Sequence, residues 1–505
     1  MPKKTNITHA DVRMYRLGTG DCFVIKFFAG EALTFTMMID CGAWQGSKAE
    51  ISKYVTDLKS YVDNHVDLLV VTHEHKDHVL GFELCEDLFT SDFEVGQTWM
   101  AWTEEDTDPK VKDWKKKDGL KKKALAAAAQ KWDEAVNDPK FAANLKALHR
   151  GADNLAAHQH FSGVLREFTD LQMAVDQGLY AGPLQGMKVV KEKVAVGTDN
   201  KPNIKYRKPG NIIENIPGLK GVRIYVLGPP QSLDAIHKED SGEEGETYEH
   251  NKELAKSNAF AAAANALVSD ASVASVLPFD ETFEAEPQDP NRQAYASNST
   301  DWRRIDHDWL MSAGSLALRL NSGINNLSLA LAIEFESGRV MLFPGDAEYG
   351  SWQSWHTIPW TEKGKGKNPD GSPKHLTEDL LNRTVFYKVA HHLSHNGTAR
   401  RKGLDHMTDK NLAAMATLDY GVISKSWMGT MPNQGLLTDL LTKTKGRLMV
   451  MRTDKVFFDA RKTVPLNSKI ETARGEMSST EAKAFHSAHH PPDAADLSID
   501  FRVIA

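Results

Sequence analysis

Across the first hundred residues, apolar positions fall into short blocks with the spacing of strands. MYRLGTGDCFVIKFF (14–28) alternates on either side of a glycine-rich turn, LTFTMMIDCG (33–42) is rich in β-formers, and VDLLVVT (66–72) is a continuous apolar run. Between the last two, KAEISKYVTDLKSYVDN (48–64) repeats its apolar residues at helical spacing, so the order strand, helix, strand predicts α/β layering. From 105 to 183 the pattern turns helical: KKKALAAAAQKWDEAV and PKFAANLKALHR are rich in Ala and Lys. Strand spacing returns in MKVVKEKVAV (187–196) and VRIYVLGPP (222–230), and a polar stretch with a second Ala-rich helix, AFAAAANALV, fills much of 232–310. SLALRL, NLSLALAIEF, RVMLFPGD, VFYKVAHHLSH, YGVISKS, RLMVMRTDKV and LSIDFRVIA supply the remaining strands, with an exposed Gly/Pro/Lys loop at 364–374. The expected organisation is one strand-rich domain over 1–505, interrupted by a helical insertion at 105–183 and a mixed helical insertion at 232–310.

Composition narrows the class. No stretch approaches the roughly 20 apolar residues of a membrane span, and MPKKTNITHADVRMY carries no apolar signal region, so a cytoplasmic protein without membrane contact is expected. Three cysteines, Cys22, Cys41 and Cys85, lack metal-ligand spacing and read as free buried thiols. The net charge of −7 confers no global attraction to nucleic acid, which leaves local patches. Of these, WKKKDGLKKK (Lys115–Lys123) reads as a solvated helix face, and the histidines His486, His489 and His490 read as surface residues of an irregular tail.

The candidate chemistry lies at strand ends. VVTHEHKDHVLGF (70–82) places His73, His75, Asp77 and His78 within six positions after an apolar strand. On a loop leaving that strand, His73 and His75 can converge on one cation and Asp77 with His78 on a second; imidazole and carboxylate suit zinc, manganese or iron. Two such cations are suited to activating water for hydrolysis. Asp346 in MLFPGDAEYG is a candidate bridging carboxylate, and His391 and His392 in KVAHHLSHNG are candidate distal ligands. Asp40 in MMIDCG is placed to orient a ligating histidine. Arg400, Arg401 and Lys402 follow the double histidine and are candidates for holding phosphate.

Taken in order, LGTGDCFVI, MMIDCG, THEHKDHVLGF, VLGPP, NNLSLAL, LFPGDAE, KVAHHLSHNGT and VISKS…MRTDK resemble the metallo-β-lactamase superfamily, most closely the hydrolase domain of ComEC-type competence proteins. The resemblance spans the core strands and neither insertion. It implies an αββα sandwich with two divalent metal ions, zinc or manganese, at one edge, and hydrolysis of phosphodiesters, plausibly in DNA. It assigns His73 and His75 to one metal, Asp77 and His78 to the other, and Asp346 to both. One of His391 and His392 becomes a ligand and the other contacts substrate or moves protons. Asp77, His391 and His392 are thus the expected catalytic residues. The sequence departs from the pattern in three ways. A further histidine ligand has no clear counterpart, with His158, His160 and His307 as candidates; Met431-Pro432 stands where a His-Pro pair is usual; and no membrane-spanning segments accompany the domain. The leading expectation is a nuclease or phosphodiesterase, alone or within a DNA-processing or defence complex. The rivals are a small-molecule metallohydrolase, acting on a cyclic nucleotide or phosphoester, and a subunit whose insertions bind protein partners.

Overall fold

The structure is a computed structural model that describes residues 6–112, 183–197, 201–238, 246, 290, 324–368, 370–422, 431–453, 456, 464–493 and 495–505. The chain divides into two units, Met1–Glu105 with Gly182–His250 and Ser322–Ala505, and Asp106–Ala181 with Asn251–Asn321. Nearly all of the second unit lies outside the described residues, as do Lys115–Lys123, His158, His160, His307 and SLALRL.

The first unit opens with three strands, β1 (His9–Tyr15), β2 (Phe23–Ala29) and β3 (Ala32–Ile39), followed by helix α1 (Lys48–Tyr61) and strand β4 (His65–Val71). Ser47 and Glu50 form a reciprocal capping box at the start of α1, and Ile51, Val55 and Leu58 form its buried stripe. Helices α2 (Lys76–Leu84) and α3 (Glu86–Ser91) lead to β5 (Glu94–Ala101), then α4 (Pro183–Val189), β6 (Ile204–Arg207), β7 (Ile212–Ile213), β8 (Val222–Val226) and α5 (Leu233–Ile236). The remainder runs β9 (Leu331–Phe335), β10 (Val340–Phe343), α6 (Tyr349–Trp355), α7 (Leu376–Asn382), β11 (Thr384–Lys388), β12 (Ala413–Ala416), α8 (Gln434–Thr444), β13 (Leu448–Val450), α9 (Leu466–Arg474), α10 (Ser479–Ala488), β14 (His489–His490) and β15 (Ser498–Ile504).

These strands form two mixed sheets, ordered β14-β15-β1-β2-β3-β4-β5-β6 and β13-β12-β11-β10-β9-β8-β7. Phe23, Ile25, Phe27, Met37, Ile39, Leu68 and Val70 of the first share one buried cluster with Ile224, Leu331, Ile333, Met341, Phe343, Phe386 and Met415 of the second. The alternate residues Val24, Met38, Leu69 and Val71 pack with Ile51, Val55, Val79 and Phe82 of the helices. Both faces of the central strands are therefore buried, which is why MMI and LLVV read as continuous apolar runs. The result is an α/β sandwich of two sheets with helices, in keeping with the layering expected from the sequence. Within each sheet the strands β3 to β6 and β10 to β13 run parallel, so their carboxyl ends share one edge per sheet. Asp40, Thr72, Lys388 and Thr417 directly follow or end such strands.

Three local expectations change. MKVVKEKVAV is helix α4 continuing into a π-helical turn at Val190–Val194, because Met187, Val190 and Val194 pack on the same side against the α2 region, a helical spacing. Most of the strand expected at YGVISKS lies outside the described residues, which stop at Val422; β12, four alanine-rich residues, precedes it. Residues 232–238, expected to open the second insertion, pack in the first unit, where the Gly350 N–H donates to Lys238 O at 3.0 Å. His489 is a buried strand residue paired with Phe501, not part of an irregular tail. The three cysteines are free and buried. Among the described residues no helix is long and apolar enough to cross a membrane.

Candidate metal centre

Three segments of the first sheet meet at its parallel edge through backbone contact. The Asp21 N–H donates to Asp77 O (2.7 Å), Cys41 to His78 O (2.9 Å) and Gly42 to Asp21 O (2.9 Å). A Cβ at Gly42 would lie 2.1 Å from His78 N, and one at Gly20 2.6 Å from Asp77 O, so only glycine permits this approach. The β4 strand delivers Thr72 and His73, and α2 begins immediately after His75, so Asp77 and His78 lie in its first turn.

Asp40 fixes one imidazole. Its Oδ1 accepts from Thr72 N (2.8 Å), and its Oδ2 accepts from Thr72 Oγ1 (2.6 Å) and lies 2.8 Å from His78 Nδ1. Carboxylate on Nδ1 leaves His78 Nε2 facing inward, where Asp346 Oδ2 lies at 3.1 Å. His392 arrives from the second sheet after β11, with Nδ1 3.1 Å from Thr417 O and 2.8 Å from Thr417 Oγ1. Its Nε2 lies 3.0 Å from Asp346 Oδ2 and 3.0 Å from Asp77 Oδ2. Asp77 is therefore nearer His392 than His78, whose Nε2 is 3.9 Å away. His73 contacts Ser328 Oγ (3.2 Å) through Nδ1, and its Nε2 lies 3.1 Å from His75 Nδ1.

His391, His392 and Leu393 all have positive φ (46°, 50° and 68°). Three successive non-glycine residues in the left-handed region cost about 1–3 kcal/mol each. Tertiary contacts hold them: the His391 N–H donates to Asp346 Oδ1 (3.2 Å), and the Asn433 N–H donates to Leu393 O (2.9 Å). The turn separates the two rings. His392 enters the cluster, whereas His391 Nδ1 lies 3.2 Å from Asn396 Oδ1 and 3.4 Å from Glu348 Oε1. Glu348 in turn accepts from Asn325 Nδ2 at 2.6 Å.

Two members have no assigned role in the sequence reading. Lys388, the last residue of β11, is buried and its Nζ reaches Asp21 Oδ2 (2.5 Å), Asp346 Oδ1 (3.0 Å) and Gly345 O (2.9 Å). Asp21 also accepts from Thr417 Oγ1 at 2.7 Å. The available signals were a lysine closing an otherwise apolar strand and an aspartate directly after Gly-Thr-Gly. Arg400 and Arg401, by contrast, are exposed, and Arg400 Nε lies 3.5 Å from Asp439 Oδ2.

Charge explains the protonation pattern. Burial alone would lower His78, but Asp346, Asp21 and Asp40 outweigh it and hold His78 well above the usual histidine range. Burial likewise opposes the charge on His392, yet Asp346 and Asp77 raise it to about 9. His73 and His75 are pushed down by burial, and His391 falls to about 4 for the same first reason. For Asp346, burial is overcome by His392, Lys388 and His78, which keep the carboxyl ionised; for Asp77, it is overcome by the His392 hydrogen bond and the charges of His78 and His392. Burial raises Asp40. The cluster draws positive charge to its centre.

A metal fits that centre. His75 Nε2 is a buried atom without a hydrogen-bond partner, which costs about 1–3 kcal/mol, and Asp346 Oδ2 is held only by its close approach to His78 and His392 Nε2. Ligand atoms of Asp21, His78, Asp346 and His392 all lie within 4.8 Å of one another. The donors are imidazole nitrogen and carboxylate oxygen, the set for zinc, manganese or iron. Scanned against protein-family models the chain matches none, and searches of curated proteins and of solved structures find no match either.

Proposed function

We propose that this chain is a hydrolase of the metallo-β-lactamase type that uses two divalent cations, zinc or manganese, to cleave phosphodiesters, with nucleic acid as the substrate class. The observation that carries the metal-dependent part is the approach of Asp346 Oδ2 to the Nε2 atoms of both His78 and His392, at 3.1 and 3.0 Å. Lys388 and the His391 N–H occupy Oδ1 of the same carboxylate, which leaves Oδ2 as the free ligand atom. His73 and His75 would hold one cation; His78, His392 and Asp77 would hold the other; Asp346 would serve both. When bound, such a pair supplies an activated water and neutralises charge developing on phosphate oxygens. Asp40 and the Thr417 carbonyl keep the inward nitrogens of His78 and His392 aimed. His391 is neutral at physiological pH and is the histidine suited to contact the substrate or pass a proton to the leaving oxygen. The phosphodiester class rests on the ordered sequence resemblance.

The test is metal content together with a substrate panel: DNA, RNA and cyclic dinucleotides, each with added zinc or manganese. Asp346→Ala is expected to lose metal at both positions and to reduce hydrolysis by about 10³-fold, the scale of several kcal/mol of metal stabilisation. Full metal stoichiometry in that variant removes Asp346 from the site. Hydrolysis of cyclic dinucleotides alone would replace the nuclease reading with the small-molecule one.

A further inference from the structure

A second cluster of metal-ligating side chains lies away from the sheet edge. His356 follows the last residue of α6, Glu378 lies in the first turn of α7, and His406 closes the short 3-10 turn Leu404–His406. One ligand atom from each lies within 4.8 Å of the other two. The His356 and His406 rings are 5.4 Å apart.

The tautomer of His356 follows from its contacts. Its Nε2 lies 2.7 Å from Lys402 O. A carbonyl can only accept, so Nε2 carries the proton and donates it. A neutral imidazole with its proton on Nε2 has a bare nitrogen at Nδ1. Nδ1 therefore presents a lone pair, and it is a buried atom with no hydrogen-bond partner. The nearest carboxylate oxygen, Glu378 Oε1, is 3.7 Å away, beyond hydrogen-bond reach. A lone pair facing a carboxylate, in a side chain only 7% exposed, is repulsive unless a cation lies between them. An imidazole that donates one N–H to a backbone carbonyl and aims its other nitrogen at a carboxylate and a second imidazole has the arrangement of a metal ligand.

We propose that His356 Nδ1, Glu378 and His406 bind a single zinc-class divalent cation, separate from the sheet-edge centre. Two imidazoles and one carboxylate make three protein ligands, and the partial exposure of all three residues leaves a fourth position for water. The ion ties together the end of α6, the start of α7 and the turn that follows the His391–Arg401 loop. Lys402 O, held by His356, joins that loop to the site. His375, whose ring lies 6.5 Å from that of His356, is outside the ligand group.

The experiment counts zinc on the full chain after chelator stripping, reloading with zinc alone and desalting. His406→Gln and Glu378→Gln are compared with wild type. Both are expected to carry about one zinc fewer per chain, whatever the sheet-edge centre retains, so the reading does not depend on hydrolysis. An unchanged zinc count in either variant overturns the site. A second measurement needs no variant: in long-range ¹H–¹⁵N spectra of the wild type, saturating zinc should move the His356 Nδ1 resonance away from its unprotonated, metal-free position. A resonance that stays put overturns the proposal equally.

Discussion

Helix α6 has a cluster of imidazole and carboxylate at each end. It begins just after Glu348, which lies 3.4 Å from His391, and ends just before His356, a rise of about 10 Å for its seven residues. The donor types are the same at both ends, but only the inner cluster holds histidines of raised proton affinity, His78 and His392, beside the lowered His73, His75 and His391. At the sheet edge four carboxylates, Asp21, Asp40, Asp77 and Asp346, surround His78 and His392 and raise both despite complete burial. At the outer end burial dominates, Lys402 and a second imidazole oppose protonation, and Glu378 is too weak a counterweight, so His356 and His406 are lowered. Burial lowers every one of these histidines, and only where several carboxylates crowd one ring is it overcome. A cation held by His78 and His392 would compete with protons there, whereas one held by His356 would meet a lone pair already bare.

The largest effect that can break this comparison is on stability. With metal removed, His392 titrates at about 9 when folded against 6.5 unfolded. A raised folded value contributes stability that is complete below the unfolded value and lost as pH rises through about 9. Stripped protein is therefore expected to lose up to about 3 kcal/mol between pH 6.5 and 9.5 from this group. His356 and His391, both lowered to about 4, act on the other side and cost stability as pH falls from 6.5 towards 4. Urea midpoints of stripped wild type and His392→Gln across this range check the pattern. The alkaline fall should flatten in the variant; if it persists unchanged, the carboxylates do not hold the proton assigned to His392.

The same contrast separates what was legible in the sequence from what was not. His73, His75, Asp77 and His78 stand out because one strand and one helix turn carry all four. Asp346, His391 and His392 were reachable because they follow apolar runs. Lys388 was not, since a lysine closing such a run reads as its polar exit, and only the sandwich brings it against Asp21 and Asp346. His356, Glu378 and His406 are scattered over fifty positions and meet only where the end of α6, the start of α7 and the Leu404–His406 turn come together. Among the elements, β12 was missed because Ala-Ala-Met-Ala has weak strand preference. The valines of 187–196 favour a strand, but Val189 and Val190 are both buried, which an alternating half-buried strand does not allow. Local preference was overridden there by packing.

A smaller change sharpens the comparison from within the sheet-edge centre. Asp40→Asn keeps an acceptor for the His78 Nδ1–H and removes the negative charge behind it. Loss of such an outer partner typically weakens metal affinity 10–100-fold, roughly that range here. Zinc titration should show the weakened class at the sheet-edge centre alone, with the outer class unchanged, because the Asp40 carboxylate bonds Thr72 and His78 of that centre. Equal weakening of both classes would mean that the substitution loosens the fold instead.

The smallest expected effect concerns the segment between the two clusters. Arg400 and Arg401 lie between His392 and Lys402, and their position in sequence suggested a phosphate anchor. The structure leaves both exposed, with Arg400 already facing Asp439 at 3.5 Å. Exposed, screened pairs contribute about 1 kcal/mol or less. Charge reversal at both is therefore expected to weaken nucleic-acid binding by roughly 5-fold or less, equally for all sequences, while reducing its salt dependence. Fluorescence anisotropy with single-stranded DNA at two salt concentrations reads both quantities. Hydrolysis of a small uncharged ester should be unchanged, because the inner carboxylates and Lys388 do not depend on these side chains. A loss far beyond 5-fold on DNA, with the ester unaffected, would show that the arginines leave Asp439 and hold phosphate at the centre, restoring the anchor role that their place after His391 and His392 suggested.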